Sequence, residues 1–344
     1  MLKWIGIALV AALIALGVYA AFNIKGTYSF AAFPAFAVGI CQSNGEIAAS
    51  ERAAMEAAAV AYMDAFVADP IAAREGMSRA GKAATEARAP LEAAAAQYRN
   101  FEITTPRAAS GAYLLRFSGG RAGELAPCGM SGGRAAFAAR SGAWRTGVVL
   151  LTDASRGDTE RTTSVWMEHE DGAWRVRGVH FAVSQICGDD AAALWEAAKE
   201  QRARGHELNA GMLYVAARGT LQRGAFFQDR LWQDFAADEA TFVAPTYLQG
   251  PMPLTLPLGG RNYSVTALQY TGVGDGDVVL VIQYAAGAWQ STDQANAMNH
   301  ALIDAFNAAY PEWRETFDAV VARAQNADGT TTFGTVYTKD RGYL

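Results

Sequence analysis

Histidine is the side chain best suited to moving protons near neutral pH, and this chain carries four: His169, His180, His206 and His300. None stands in an HExxH pattern and no two share a helix face at metal-ligand spacing, so no metal site is expected. His169 lies among Glu168, Glu170 and Asp171, but that stretch reads as a hairpin tip where charge is simply solvated. His180 is more informative. Alternation along residues 174–181 puts it on one face with Trp174, Val176 and Gly178, leaving Arg175, Arg177, Val179 and Phe181 on the other. Gly-Gly-Arg occurs at 119–121, 132–134 and 259–261. Backbone N–H groups beside an arginine can form an anion nest, yet all three fall between expected strands, where glycine-rich turns explain them. No P-loop motif is present, so no cofactor is expected and catalysis is not indicated.

Of three cysteines, Cys128 and Cys187 both precede glycine at expected element ends. In an exported protein they are candidates for one disulfide, closing a loop of about 60 residues and adding ~4 kcal/mol. Two unrelated thiols is the alternative. Their spacing fits no zinc pattern.

The elements that must position these residues begin with residues 4–22, which hold no charge. As a helix at about 1.5 Å per residue they span roughly 28 Å, the depth of a bilayer's hydrocarbon core. Residues 1–24 therefore read as a transmembrane anchor or a signal peptide. With only three residues ahead of it, including Lys3, the segment favours export of everything that follows. The expected location is the inner membrane, single-pass, with the bulk of the chain periplasmic or external. A net charge of −5 and the lack of a long basic run give no reason to expect nucleic acid.

Residues 25–45 read as a juxtamembrane connector. In 46–95, Met55, Ala59, Tyr62, Met63 and Phe66 recur at helical spacing. Asp69-Pro70 ends that helix, and a second helical stretch carries Met77, Ala80, Ala84 and Leu91. The period then shifts towards two, giving expected strands at 101–105, 113–118, 134–140, 147–152, 162–168 and 174–181. Asp171-Gly172 between the last two is a strong hairpin signal.

Helices followed by a meander ending in SVWMEHEDGAWRVRGVHF resemble the NTF2-like (cone-shaped α+β) superfamily over residues 46–187. That resemblance implies a cone between sheet and helices. In the family's enzymes this cavity holds acid/base residues, and His180 with Asp64 is the candidate pair here. The family also includes ligand binders and secretion-assembly subunits, so fold alone does not choose among them.

Residues 188–344 read as a second α+β domain. Asp189 or Asp190 caps a helix bearing Leu194, Trp195 and Ala198, and a second helix follows Gly205. Strands are expected at 254–258, 263–270, 278–285 and 331–338. Between the last two, Met298, Leu302, Phe306, Ala309, Trp313, Phe317, Val320, Val321 and Ala324 trace a helical stripe, kinked or split at Pro311. Trp289, Trp313 and Phe317 are the candidate interaction surface for a protein partner in the envelope. The sequence thus points to an α+β, membrane-anchored interaction or assembly module without catalysis. The alternative is an anchored enzyme or small-molecule binder using the cone.

Overall fold

The computed structural model describes residues 39–86, 91–92, 94–95, 98, 108–117, 125–128, 135–138, 145–155, 159–222, 227–229, 231–245, 248, 252–273 and 276–344. The expected membrane segment, the strand at 101–105 and the first two Gly-Gly-Arg turns lie outside these residues. Among the described residues no helix is long and apolar enough to cross a membrane. The chain is α+β, and its described residues form three sheets.

Helix α1 (Ala49–Ala68) buries Met55, Ala59, Tyr62, Met63 and Phe66, the residues its spacing selects. It stops where Pro70 removes a backbone donor. Asp69 instead caps a single turn, α2 (Pro70–Ala73), accepting from the N–H groups of Ile71 at 2.9 Å and Ala72 at 3.0 Å. After a 3-10 turn, Ser78 caps α3 (Arg79–Ala84). The expected second helical stretch therefore starts as short pieces, with described helical residues again at 91–92, 94–95 and 98. Met77 and Gly81 are buried whereas Ala84 is exposed.

These helices lie on a five-stranded antiparallel sheet ordered β1-β2-β5-β6-β7. Its strands are β1 (Gly39–Ser43), β2 (Ala108–Phe117), β5 (Arg145–Ser155), β6 (Thr159–Glu170) and β7 (Ala173–Ile186). Part of the expected connector is thus a strand, its five residues paired with Tyr113 to Phe117. The β6–β7 hairpin turns through Asp171 (φ 51°) and Gly172 (φ 80°), the two positive angles a type I′ turn requires. Further along, Met167 faces Val176 but Trp166 faces Gly178. The extra residue on β7 is a bulge, and it reverses the inward–outward order beyond it. Trp174, Val176, Val179 and Phe181 therefore all pack on the α1 core, and His180 turns to the opposite face.

That opposite, outer face carries Tyr113, Leu115, Phe117, Val148 and Trp166. It is covered by a small sheet of β3 (Leu125–Pro127), β4 (Ala135–Ala138) and β8 (Phe227–Asp229), ordered β3-β4-β8. Phe137 of β4 is its anchor, edge-on to Tyr113 at 5.2 Å and to Trp166 at 5.3 Å. Strand β8 comes from beyond residue 187, so the C-terminal half supplies part of the first sheet's outer layer.

Between the sheets lie α4 (Ala191–Ala203), capped by Asp190, and α5 (Glu207–Leu221). They reverse at Gly205, whose φ of 80° suits glycine. Then comes α6 (Leu231–Glu239).

The second large sheet is ordered β14-β13-β12-β11-β10-β9. It comprises β9 (Leu254–Leu258), β10 (Arg261–Val273), β11 (Asp277–Ala285), β12 (Ala319–Gln325), β13 (Thr332–Thr338) and β14 (Gly342–Tyr343). Gly259 and Gly260, at φ 56° and 76°, make the β9–β10 turn. Strands β11 and β12 are parallel, joined through α7 (Thr292–Ala309). The expected helical stripe does not continue to Ala324. Pro311 opens a 3-10 turn of five residues, and the β-branched Val320 and Val321 then enter β12. There Val320, Ala322 and Ala324 point into the core and Val321 away from it.

Candidate functional site

The space between α1 and the five-stranded sheet is where acid/base residues would have to converge. Among the described residues, apolar side chains pack there. Met55, Tyr62, Met63, Phe66, Met77 and Trp174 are all buried there. An aromatic row continues the packing, with Tyr62 stacked on Phe66 at 6.0 Å, Phe66 against Phe181 at 6.0 Å and Tyr98 against Phe181 at 4.9 Å. The Tyr62 hydroxyl is a buried polar atom in this space without a hydrogen-bond partner. Burial pushes its phenol up to about 12, so it stays protonated at neutral pH and can only be a neutral donor or acceptor.

The candidate pair His180 and Asp64 is not assembled. Asp64 lies on the exposed side of α1, while the bulge sends His180 to the outer face beside Ser164 of β6. There its Nε2 lies 3.4 Å from the Gln222 carbonyl. Burial lowers the imidazole pKa and the carbonyl contact restores part of it, leaving the neutral form favoured. His169 is exposed near the hairpin tip, edge-on to Trp174 at 5.3 Å.

The cysteine pairing also differs from expectation. Cys128, which follows β3, is bonded to Cys41 of β1 across 87 residues of sequence, with Cα atoms 5.2 Å apart. Cys187 lies outside the bridge, in a turn at φ 52° followed by Gly188 at φ 84°. The physical reason is β1. Its pairing with β2 brings Cys41 beside β3, and Gly39 permits the approach, since a Cβ there would stand 2.9 Å from the Ala126 Cβ.

The candidate interaction surface is largely core. Trp313 and Phe317 are 0% exposed, and Trp289 is half-buried against the same cluster. The aromatics belong to the packing of α7 and the following 3-10 turn on the second sheet.

Two polar constellations escaped the sequence reading. Asn299 of α7 is fully buried. Its Oδ1 accepts from the Tyr284 hydroxyl at 3.1 Å, and its Nδ2 donates to the Phe333 carbonyl at 2.9 Å and to Thr335 Oγ1 at 3.0 Å. The second centres on Asp238, which accepts from the Tyr214 hydroxyl at 2.6 Å and from Trp195 Nε1 at 2.7 Å. It also lies 3.5 Å from the Arg202 guanidinium. Burial works to raise the Asp238 carboxyl, but the donors and nearby cations outweigh it and hold the group below the usual range. Burial first, then the bond to Asp238, pushes the Tyr214 phenol up to about 12. A carboxylate so saturated with donors is a poor base. Its role is to fasten α4, α5 and α6 together. The only sequence signal for either constellation is a polar residue within a helical segment that also carries apolar faces.

Among the described residues no group of three or more His, Cys, Asp or Glu side chains is arranged to hold a metal ion. Comparison of the chain with models of known families, with curated proteins and with solved structures finds no match.

Proposed function

We propose that this protein is a membrane-anchored, envelope-facing interaction or assembly module that performs no catalysis, its first half built on an NTF2-like plan. The observation that carries the reading is the apolar packing between α1 and the five-stranded sheet, where Met55, Met63, Phe66 and Trp174 are buried together. The envelope-facing part draws on the charge-free segment 4–22 and on the Cys41–Cys128 bridge, since disulfides persist in oxidising compartments. The test is quantitative crosslinking of the full-length protein in its native membranes, read by mass spectrometry. A discrete complex with one recurring partner, or with further copies of the chain, at near-equal amounts is the expected outcome. Recovery of the protein alone would contradict it.

A second reading, an anchored binder of a small molecule, draws on the lone Tyr62 hydroxyl, whose burial without a partner costs about 1–3 kcal/mol. Tyr62→Phe separates the two. In an assembly module it keeps biological activity and gains stability, whereas in a binder it loses ligand affinity.

A further inference from the structure

We propose that the Cys41–Cys128 disulfide is a redox-operated clasp for the outer layer of the five-stranded sheet. The small β3-β4-β8 sheet would then be fully seated only where the bridge is oxidised, and a dithiol reductant would loosen it and uncover the aromatic face beneath. The proposal rests on the envelope-facing reading only for the compartment in which the clasp closes.

Four observations carry it. First, the bridge joins two different sheets, because among the described residues β1 pairs with β2 and β3 with β4. It is thus a covalent link between layers rather than a staple within one. Second, among the described residues β3 and β8 each make three cross-strand pairs with β4. Third, Phe137 on the middle strand packs against Tyr113 and Trp166, with Phe227 of β8 at 5.9 Å. On β3, Leu125 and Ala126 are buried, and Ala126 approaches Gly39 closely. Fourth, Cys41 and Cys128 are both half-buried, so the bridge lies within reach of a small thiol. What lies beneath is Tyr113, Leu115, Phe117, Val148 and Trp166, an aromatic and aliphatic face that would be new to solvent.

The chemistry is ordinary thiol–disulfide exchange. A thiolate of the dithiol attacks one cysteine sulfur, the S–S bond breaks, and the other cysteine leaves as a thiolate. The second thiol of the reductant then displaces the first cysteine and closes its own disulfide. Two electrons pass to the protein, which gains two thiols, while the dithiol is oxidised. Closure is the reverse, with a disulfide-form oxidant.

The experiment uses the full chain in detergent micelles, measuring amide hydrogen exchange in the oxidised protein and after dithiothreitol. Amides of β3 and β4 should exchange at least tenfold faster after reduction, with those of α1, β5 and β6 unchanged. Cys187→Ser should leave the oxidised pattern intact, and Cys41→Ser should reproduce the reduced one. If Cys41→Ser fails to fold, reduction of the already folded wild type gives the same readout. Equal protection of β3 and β4 in both states would overturn the clasp. So would an equal loss of protection everywhere, which would make the bridge a global staple. Thiol labelling in intact cells tests the compartment separately. A bridge that is reduced in cells but still controls β3 and β4 in vitro would sink the envelope-facing reading and spare the clasp.

Discussion

Replacing Trp313 separates a core residue from an interface residue most sharply. Its side chain is fully buried. Its Nε1 donates to Asn307 Oδ1 at 2.7 Å, and the Arg314 guanidinium lies over its ring at 4.7 Å. Truncating a buried tryptophan costs about 3–5 kcal/mol. The lost indole hydrogen bond accounts for about 1 kcal/mol of that. Trp313→Ala should therefore lower unfolding free energy by about 4 kcal/mol, and Trp313→Phe, which keeps most of the packing, by about 1–2 kcal/mol. Equilibrium urea denaturation followed by far-UV circular dichroism measures both. The folded fraction of Trp313→Phe should still form the wild-type crosslinks in membranes. A Trp313→Ala protein that lost less than about 1 kcal/mol yet failed to form those crosslinks would refute this placement and restore Trp313 to an interface.

Three further outcomes follow from particular contacts. Burial lowers the His180 pKa below 6.5, so the unfolded chain binds that proton more readily than the folded one. The stability this group preserves is present above about pH 6.5 and declines as the pH falls through that value. His180→Gln should flatten the difference between denaturation curves taken at about pH 7.5 and about pH 5.5, and an unchanged slope would show that another group titrates. At Gly81 a Cβ would stand 2.8 Å from the Val176 carbonyl oxygen and 3.0 Å from that of Arg177. Gly81→Ala should push α3 off β7 at a cost of about 2 kcal/mol, read as a drop in melting temperature. Asn44 sits at φ 39° while its Oδ1 accepts from the Ala112 N–H at 2.9 Å. Asn44→Gly should lose about 1 kcal/mol for that bond, and Asn44→Ala about 1 kcal/mol more for the left-handed backbone. Equal losses in urea would contradict the strain.

What could be read from the sequence was local. The face of α1 is set by residues three and four apart, so Met55 to Phe66 identified themselves. Asp171-Gly172 announced its hairpin because only a few residues adopt two positive φ angles, and β9 matched its expected bounds because alternation and Gly259-Gly260 agree. What could not be read depends on distant partners or on one extra residue. Strand β1 has five residues and becomes a strand only by pairing with β2 some seventy positions later, so the disulfide it sets up was hidden with it. The bulge at residue 177 leaves no compositional mark, yet it moved His180 to the other face and dissolved the candidate pair. After Pro311 a helical rhythm persists by coincidence of spacing, while Val320 and Val321 favour the strand they form.

The most direct test of an envelope-facing protein with this fold is a disulfide map of the chain in its own membranes. Intact cells would be quenched with acid, alkylated and digested without reduction. The fold and its location together predict a cross-linked peptide joining Cys41 to Cys128, with Cys187 alkylated. Three alkylated cysteines would contradict the oxidising location, and a Cys128–Cys187 peptide would contradict the fold.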